Sequence, residues 1–212
     1  MNKVVVMFVS AAALATVGMA AASNSMAASD QSSSSNAAGV FISGSLGYGY
    51  AGYRNTDFFG APTKVEKGAL AWNANLGYQF NQYAAIEGGY SQFGEGKSSI
   101  PNVDTMKTNL RGFGFDVKGI MPVSNQFDLF AKAGAVDMHE SVTSKGAIIS
   151  KLTGSAWTPE LGVGTAYNVN SNVALTLQDV YTFRTTFSRN GAKAPIPYTN
   201  DVLAGLSYKF NV

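Results

Sequence analysis

Residues 68–94, GALAWNANLGYQFNQYAAIEGGYSQFG, hold two alternating runs back to back. From Gly68 to Phe80 one set of positions carries Leu70, Trp72, Ala74, Leu76, Tyr78 and Phe80. The other carries Ala69, Ala71, Asn73, Asn75, Gly77 and Gln79. Asn81 and Gln82 interrupt the run, and a second alternation sets Ala84, Ile86, Gly88 and Tyr90 against Ala85, Glu87, Gly89 and Ser91. A period of two separates the faces of a strand, and a short polar break between two such runs predicts a hairpin. The pattern alone does not say which face meets water. A soluble sandwich packs its apolar face inward, whereas an outer-membrane barrel turns that face to lipid.

The rest of the chain bears on that choice. It begins MNKVVVMFVSAAALATVGMAAASNSMAASD, with Lys3 ahead of an apolar stretch from Val4 to about Ala22. Small residues at Ala20-Ala21-Ala22 and Ser25-Met26-Ala27 complete the layout of a secretory signal peptide over 1–28, with cleavage expected between 22 and 29. A membrane anchor helix is the rival reading of the same apolar stretch. Residues 29–39, SDQSSSSNAAG, form a Ser-rich tether too polar to bury a core. Residues 40–212 then suit one domain. The sequence contains no cysteine, so an exported domain must be stable without disulfides.

Charged residues make up 13% of the chain, about half the usual share for soluble domains. No segment after the signal is a long enough apolar run for a spanning helix. The net charge of +2 is too weak a bias to suggest nucleic acid.

Alternation continues to the C-terminus. Strands are expected at 40–53, at the two arms of the opening hairpin, and at about 107–121, 127–138, 156–169, 173–184 and 198–212. That makes eight. The links at 81–82, 122–126 and 170–172 are short, and those near 54–67, 94–105, 139–155 and 185–197 are long. This sorting matches the short periplasmic turns and long external loops of an outer-membrane barrel. Phe80, Tyr83, Phe127, Tyr167, Tyr208 and Phe210 fall beside short turns. Tyr50, Tyr53, Trp72, Tyr90, Trp157, Tyr181, Phe183 and Tyr198 fall towards long loops, as two interfacial belts would require. The expected fold class is all-β, an eight-stranded antiparallel up-and-down transmembrane β-barrel. Asp179 breaks the pattern by falling on the apolar face of the seventh strand, and either a bulge or a place near the rim would account for it.

YAAIEGGYSQFG (83–94), GFDVKGIMPVSNQFDLFAKAGA (114–135) and ELGVGTAYNVNSNVALTLQDVYTF (160–183) resemble the small outer-membrane β-barrels of the OmpA-like transmembrane-domain type. GLSYKF (205–210) is similar to the barrel-assembly signal of such proteins, through Gly205, Tyr208 and Phe210, although Asn211 and Val212 follow it. The resemblance implies an outer-membrane location with periplasmic termini and contact with the barrel-assembly machinery. Because the sequence stops after the eighth strand, the peptidoglycan-binding domain of full-length OmpA-type proteins is expected to be absent.

With the apolar face on lipid, the lumen receives mainly small and polar residues with a few charges, Glu87, Asp116, Lys118, Lys132 and Glu160. Unpaired buried charges are costly, so pairing is expected. The resemblance also implies acid–base pairs across the lumen, with Glu87 and Lys118 at matching positions. Such pairs would either fix the register of a plugged barrel or gate a narrow pore for ions or small solutes.

An outer-membrane lipid A-modifying enzyme would need a histidine, a serine and a carboxylate. The single histidine, in DMHESVTS (137–144), offers His139 and Ser141 two apart, with Asp137 and Glu140 nearby, at the third long loop. The stretch does not resemble a deacylase motif, so no enzyme activity, cofactor or metal is expected. The functional surface is then the loops, where Arg54, Lys64, Lys67, Arg189 and Lys193 lean basic. They suit outer-membrane lipids, lipopolysaccharide phosphates or sulfated host ligands. By resemblance to OmpA-, OmpX- and Ail-like proteins, envelope integrity or adhesion is the implied role.

Overall fold

A computed structural model describes residues 38–52, 64–66, 68–93, 96–100, 104–144, 151–189 and 192–210. The segments expected to be signal peptide and most of the expected tether lie outside these residues, as do Tyr53, Arg54 and Lys67. All regular structure among the described residues is strand.

Eight strands form the barrel: β1 (Gly39–Gly52), β3 (Gly68–Asn81), β4 (Ala84–Gln92), β6 (Asp104–Pro122), β7 (Phe127–Ser144), β8 (Lys151–Asn168), β9 (Val173–Thr182) and β12 (Tyr198–Lys209). Each pairs antiparallel with its neighbour in sequence. The ring closes where β1 meets β12, from Phe41↔Lys209 to Gly52↔Tyr198. Closure leaves no open edge among these strands, a requirement for crossing a bilayer.

The three short turns share one device. Asn81 Oδ1 accepts the N–H groups of Tyr83 and Ala84 at 2.8 and 3.0 Å. Ser124 Oγ accepts the N–H of Phe127 at 3.1 Å. Asn170 Oδ1 accepts those of Asn172 and Val173 at 2.9 and 2.8 Å. A short polar side chain thus stands in for the backbone acceptor that a reversing chain lacks.

The long-loop end is more structured than the sequence predicts. β6, β7 and β8 are 19, 18 and 18 residues long, well beyond the roughly 9–11 residues that span a bilayer. Two short strands extend the sheet there: β5 (Gly96–Ile100) pairs with β6, and β2 (Lys64–Glu66) pairs with β5. A separate hairpin joins β10 (Thr185–Arg189) to β11 (Ala192–Ile196). Pro159 lies where β9 stops pairing with β8, so its missing N–H interrupts no ladder on that side. The segments read from sequence as loops near 54–67, 94–105, 139–155 and 185–197 therefore all contain paired strand.

The apolar face is on the outside. Leu70 and Leu76 are 61% and 60% exposed, and Leu46, Phe113, Val117, Leu177 and Leu206 share that surface. Rings pack against one another in two belts. Tyr78–Phe80, Phe127–Tyr167 and Tyr208–Phe210 lie at the turn end. Trp72–Tyr90–Phe113, Phe115–Trp157 and Tyr50–Tyr198–Tyr181–Phe183 lie at the long-loop end.

Candidate functional site: a layered lumen

Alternation within each strand sends every second side chain inward, and the closed ring stacks these in three layers. At the turn end a polar vestibule of about 100 Å³ is lined by Ser43, Asn75, Gln79, Asn168 and Ser207 among others, and reaches Glu87 and Lys118.

The ionic layer lies above it. Glu87 on β4, Asp116 and Lys118 on β6, and Lys132 on β7 converge because the register sets Glu87 opposite Asp116 and Lys118 opposite Lys132. Lys118 Nζ is 2.5 Å from Glu87 Oε2. Lys132 Nζ is 3.3 Å from Glu87 Oε1 and 3.1 Å from Asp116 Oδ2. Lys118 also stands over the inward rings of Phe130 and Phe41, 4.9 and 5.3 Å from their centroids. Glu160 accepts the hydroxyl of Thr182 at 3.1 Å. All five charged residues read from the sequence as lumenal are in this layer, four of them in one contact chain. Gly134 faces it from β7. A Cβ there would strike Phe115 O and Asp116 Oδ1, so only glycine lets Asp116 reach Lys132.

A cavity of about 10 Å³, lined by Asn73, Lys132, Glu160 and Asp201, separates this layer from the third. That volume is at the lower limit for one water molecule. Above it Ala51, Phe93, Leu110, Val136, Met138 and Ile196 form one buried apolar cluster, with Ala156 against it and the buried Thr158, Thr182 and Thr199 at the same level. Phe93 turns inward where β4 gives way to β5 and donates its N–H to Leu110 O at 2.9 Å. Ile196 is the last residue of β11 and is fully buried. Sequence reasoning missed this cap, although Leu110, Val136 and Met138 fall in phase with Asp116 and Lys132 on the inward faces of β6 and β7.

Glu140 is the next inward residue of β7, three residues beyond the row where Asp137 pairs with Trp157 of the upper belt. It is buried, and burial pushes its carboxyl up to about 7. His139 and Ser141 lie on the opposite, outward face, and they sit on strand rather than in a loop. His139 Nδ1 is 3.8 Å from Asp137 Oδ2. Glu140 is therefore separated from the other three residues of that constellation.

Asp179 keeps its register, opposite Val202 and Val163, so no bulge turns it inward. It lies outside, two residues below Tyr181, and accepts the side-chain amide of Asn200. Lys64, Arg189 and Lys193 fall on β2, β10 and β11. Gly205, Tyr208 and Phe210 fall on or just after β12, with Tyr208 and Phe210 outward in the turn-end belt.

Residues 9–210 match the family described as outer membrane protein beta-barrel domain. The chain belongs to that family. It is an outer-membrane β-barrel, and solved barrels share its fold at low identity. Neisserial surface protein A is 16% identical with a TM-score of 0.59, over 82% of this chain and 99% of that one. OprG from Pseudomonas aeruginosa is 14% identical with a TM-score of 0.53, over 85% and 100%. Ail of Yersinia pestis, solved with the heparin analogue sucrose octasulfate, is 14% identical with a TM-score of 0.50, over 81% and 99%. No curated protein sequence matches the chain.

Proposed function

We propose that this barrel is a sealed scaffold that displays its long-loop end on the cell surface, with termini and short turns in the periplasm. Its role is envelope integrity or adhesion, and it is not an enzyme. The observation that carries this reading is the layered lumen, in which a paired ionic cluster lies beneath an apolar cap. Side chains that fill a barrel rigidify it and leave its projecting strands and loops to meet other molecules. The basic residues Arg54, Lys64, Lys67, Arg189 and Lys193 suit a polyanionic partner, either lipopolysaccharide phosphate or a sulfated glycan. Heparin binding to whole cells tests the adhesive arm. It should fall when residues 53–67 or 185–197 are exchanged for neutral loops while the barrel still shows heat-modifiable gel mobility. Unchanged binding by both exchanges would sink the adhesive reading.

The pore reading ranks second, because a path through the lumen would have to displace both layers. A lipid A-modifying enzyme ranks third. It rests on the His139–Asp137 contact with Ser141 on the same face, and a lipid A mass change dependent on His139 would promote it.

A further inference from the structure

Among the described residues, a polar pair stands on the outer surface of β9 and β12 where apolar side chains are expected. Asp179 on β9 and Asn200 on β12 face outward just below the upper aromatic belt, among Val163, Val202 and Tyr181. Asn200 gives one amide N–H to Asp179 Oδ1, and Oδ2 and the second N–H have no partner among the described residues. A carboxylate at lipid depth is unfavourable unless something there donates to it.

The belt directly above is built as a platform. The Tyr198 ring stacks on Tyr181 at 5.6 Å and tilts against Tyr50 at 6.4 Å. It lies across Gly52, where any Cβ would collide with it. Arg184 folds back over this ring, its guanidinium carbon 6.0 Å from the centroid, and donates to Gly52 O at 3.1 Å. The guanidinium is thus held at the level of Tyr198, two residues above Asn200 on the same face, or roughly 7 Å along the strand. Arg184 as a whole is exposed.

From this arrangement we infer that the outer face of β1, β12 and β9 holds one molecule of lipid A. Arg184 takes a phosphate, the tyrosines carry the sugar, and Asp179 with Asn200 takes the amide and hydroxyl donors of the acyl chains. The order of groups with depth decides the ligand class. A glycerophospholipid has an anionic phosphate at the surface, but its ester region below offers only acceptors, which Asp179 would repel. An amide-linked, hydroxylated acyl chain beneath a sugar phosphate presents an anion above and donors below. That matches a cation above a carboxylate. The assignment rests on the long-loop end facing the outer leaflet.

The test is native mass spectrometry of the folded, detergent-solubilised protein with purified lipid A, dephosphorylated lipid A and phosphatidylethanolamine. The wild type should hold one lipid A in preference to phosphatidylethanolamine. Arg184→Ala and Asp179→Ala should each weaken it by about tenfold, the loss of one charge-assisted contact. Dephosphorylation should weaken binding to the wild type and leave binding to the Arg184 variant unchanged. That comparison on the wild type needs no variant to fold. Equal retention of phosphatidylethanolamine, indifference to dephosphorylation, or a dimer that Asp179→Ala dissociates would each overturn the assignment. Protease cleavage at a site inserted at 190–191 on intact cells reports orientation separately. Internal cleavage with lipid A still bound would overturn the topology and keep the site, and surface cleavage without binding would overturn the site.

Discussion

Lys132 and Glu87 are 45 residues apart in sequence and on strands separated by β6, yet Lys132 Nζ lies 3.3 Å from Glu87 Oε1. Both are almost wholly buried. The barrel brings them together because β6 pairs with both strands and its own Asp116 and Lys118 complete the cluster.

Removing Lys132 therefore strands Glu87 and Asp116 beside a single remaining cation. Lys132→Met should destabilise the folded barrel by about 3–5 kcal/mol, as for other broken buried pairs. Urea unfolding followed by tryptophan fluorescence would measure it. A loss below about 1 kcal/mol would show that the cluster is solvated rather than sealed.

The apolar cap predicts the order in which the lumen opens. Glu87→Ala alone should stay silent in planar bilayers, because Leu110, Val136 and Met138 still exclude water above the broken pair. Conductance should appear when Glu87→Ala is combined with Leu110→Ser and Met138→Ser. Steady current through the Glu87 variant alone would show that the cap is no barrier.

Glu140 gives a pH signature. Its folded carboxyl titrates at about 7 against an ordinary value of 4.5, so the folded state binds the proton more tightly. The stabilisation is fully present below about 4.5 and is lost as pH rises through 7. Glu140→Gln should flatten the decline in stability between pH 5 and 8, on the order of 3 kcal/mol, and leave the mutant more stable at pH 8. A parallel decline in both proteins would remove Glu140 as its source.

Asn170 caps two N–H groups in a two-strand reversal. Asn170→Ala should cost about 1 kcal/mol and slow refolding into detergent, whereas Asn170→Asp should keep most of both. Equal effects of the two substitutions would assign the turn to backbone geometry alone.

The ionic layer was legible in the sequence, whereas the buried charges Glu140, Asp201 and Lys209 were not singled out as lumenal. Glu87, Asp116, Lys118, Lys132 and Glu160 stand out because each is a charge on a predicted inward face. The cap was not legible. Ile196 fell in a segment read as a loop, Phe93 stood at the very end of the second hairpin arm, and a few apolar residues on an otherwise polar face look like noise until the ring closes. Asp179 was visible as a misfit, but its partner Asn200 comes from β12 and could not be named from β9.

The sequence by itself determined the eight strands, their lipid and lumen faces and the chemistry of the three short turns. These depend on interactions within a few residues: a period of two, and a side chain that bonds its own backbone. Tertiary structure decided the extended strands of the long-loop end, the apolar cap above the ionic cluster and the Arg184–Tyr198–Asn200–Asp179 array on the outer face. Each of those depends on which strand lies beside which, and only closure of the barrel fixes that register.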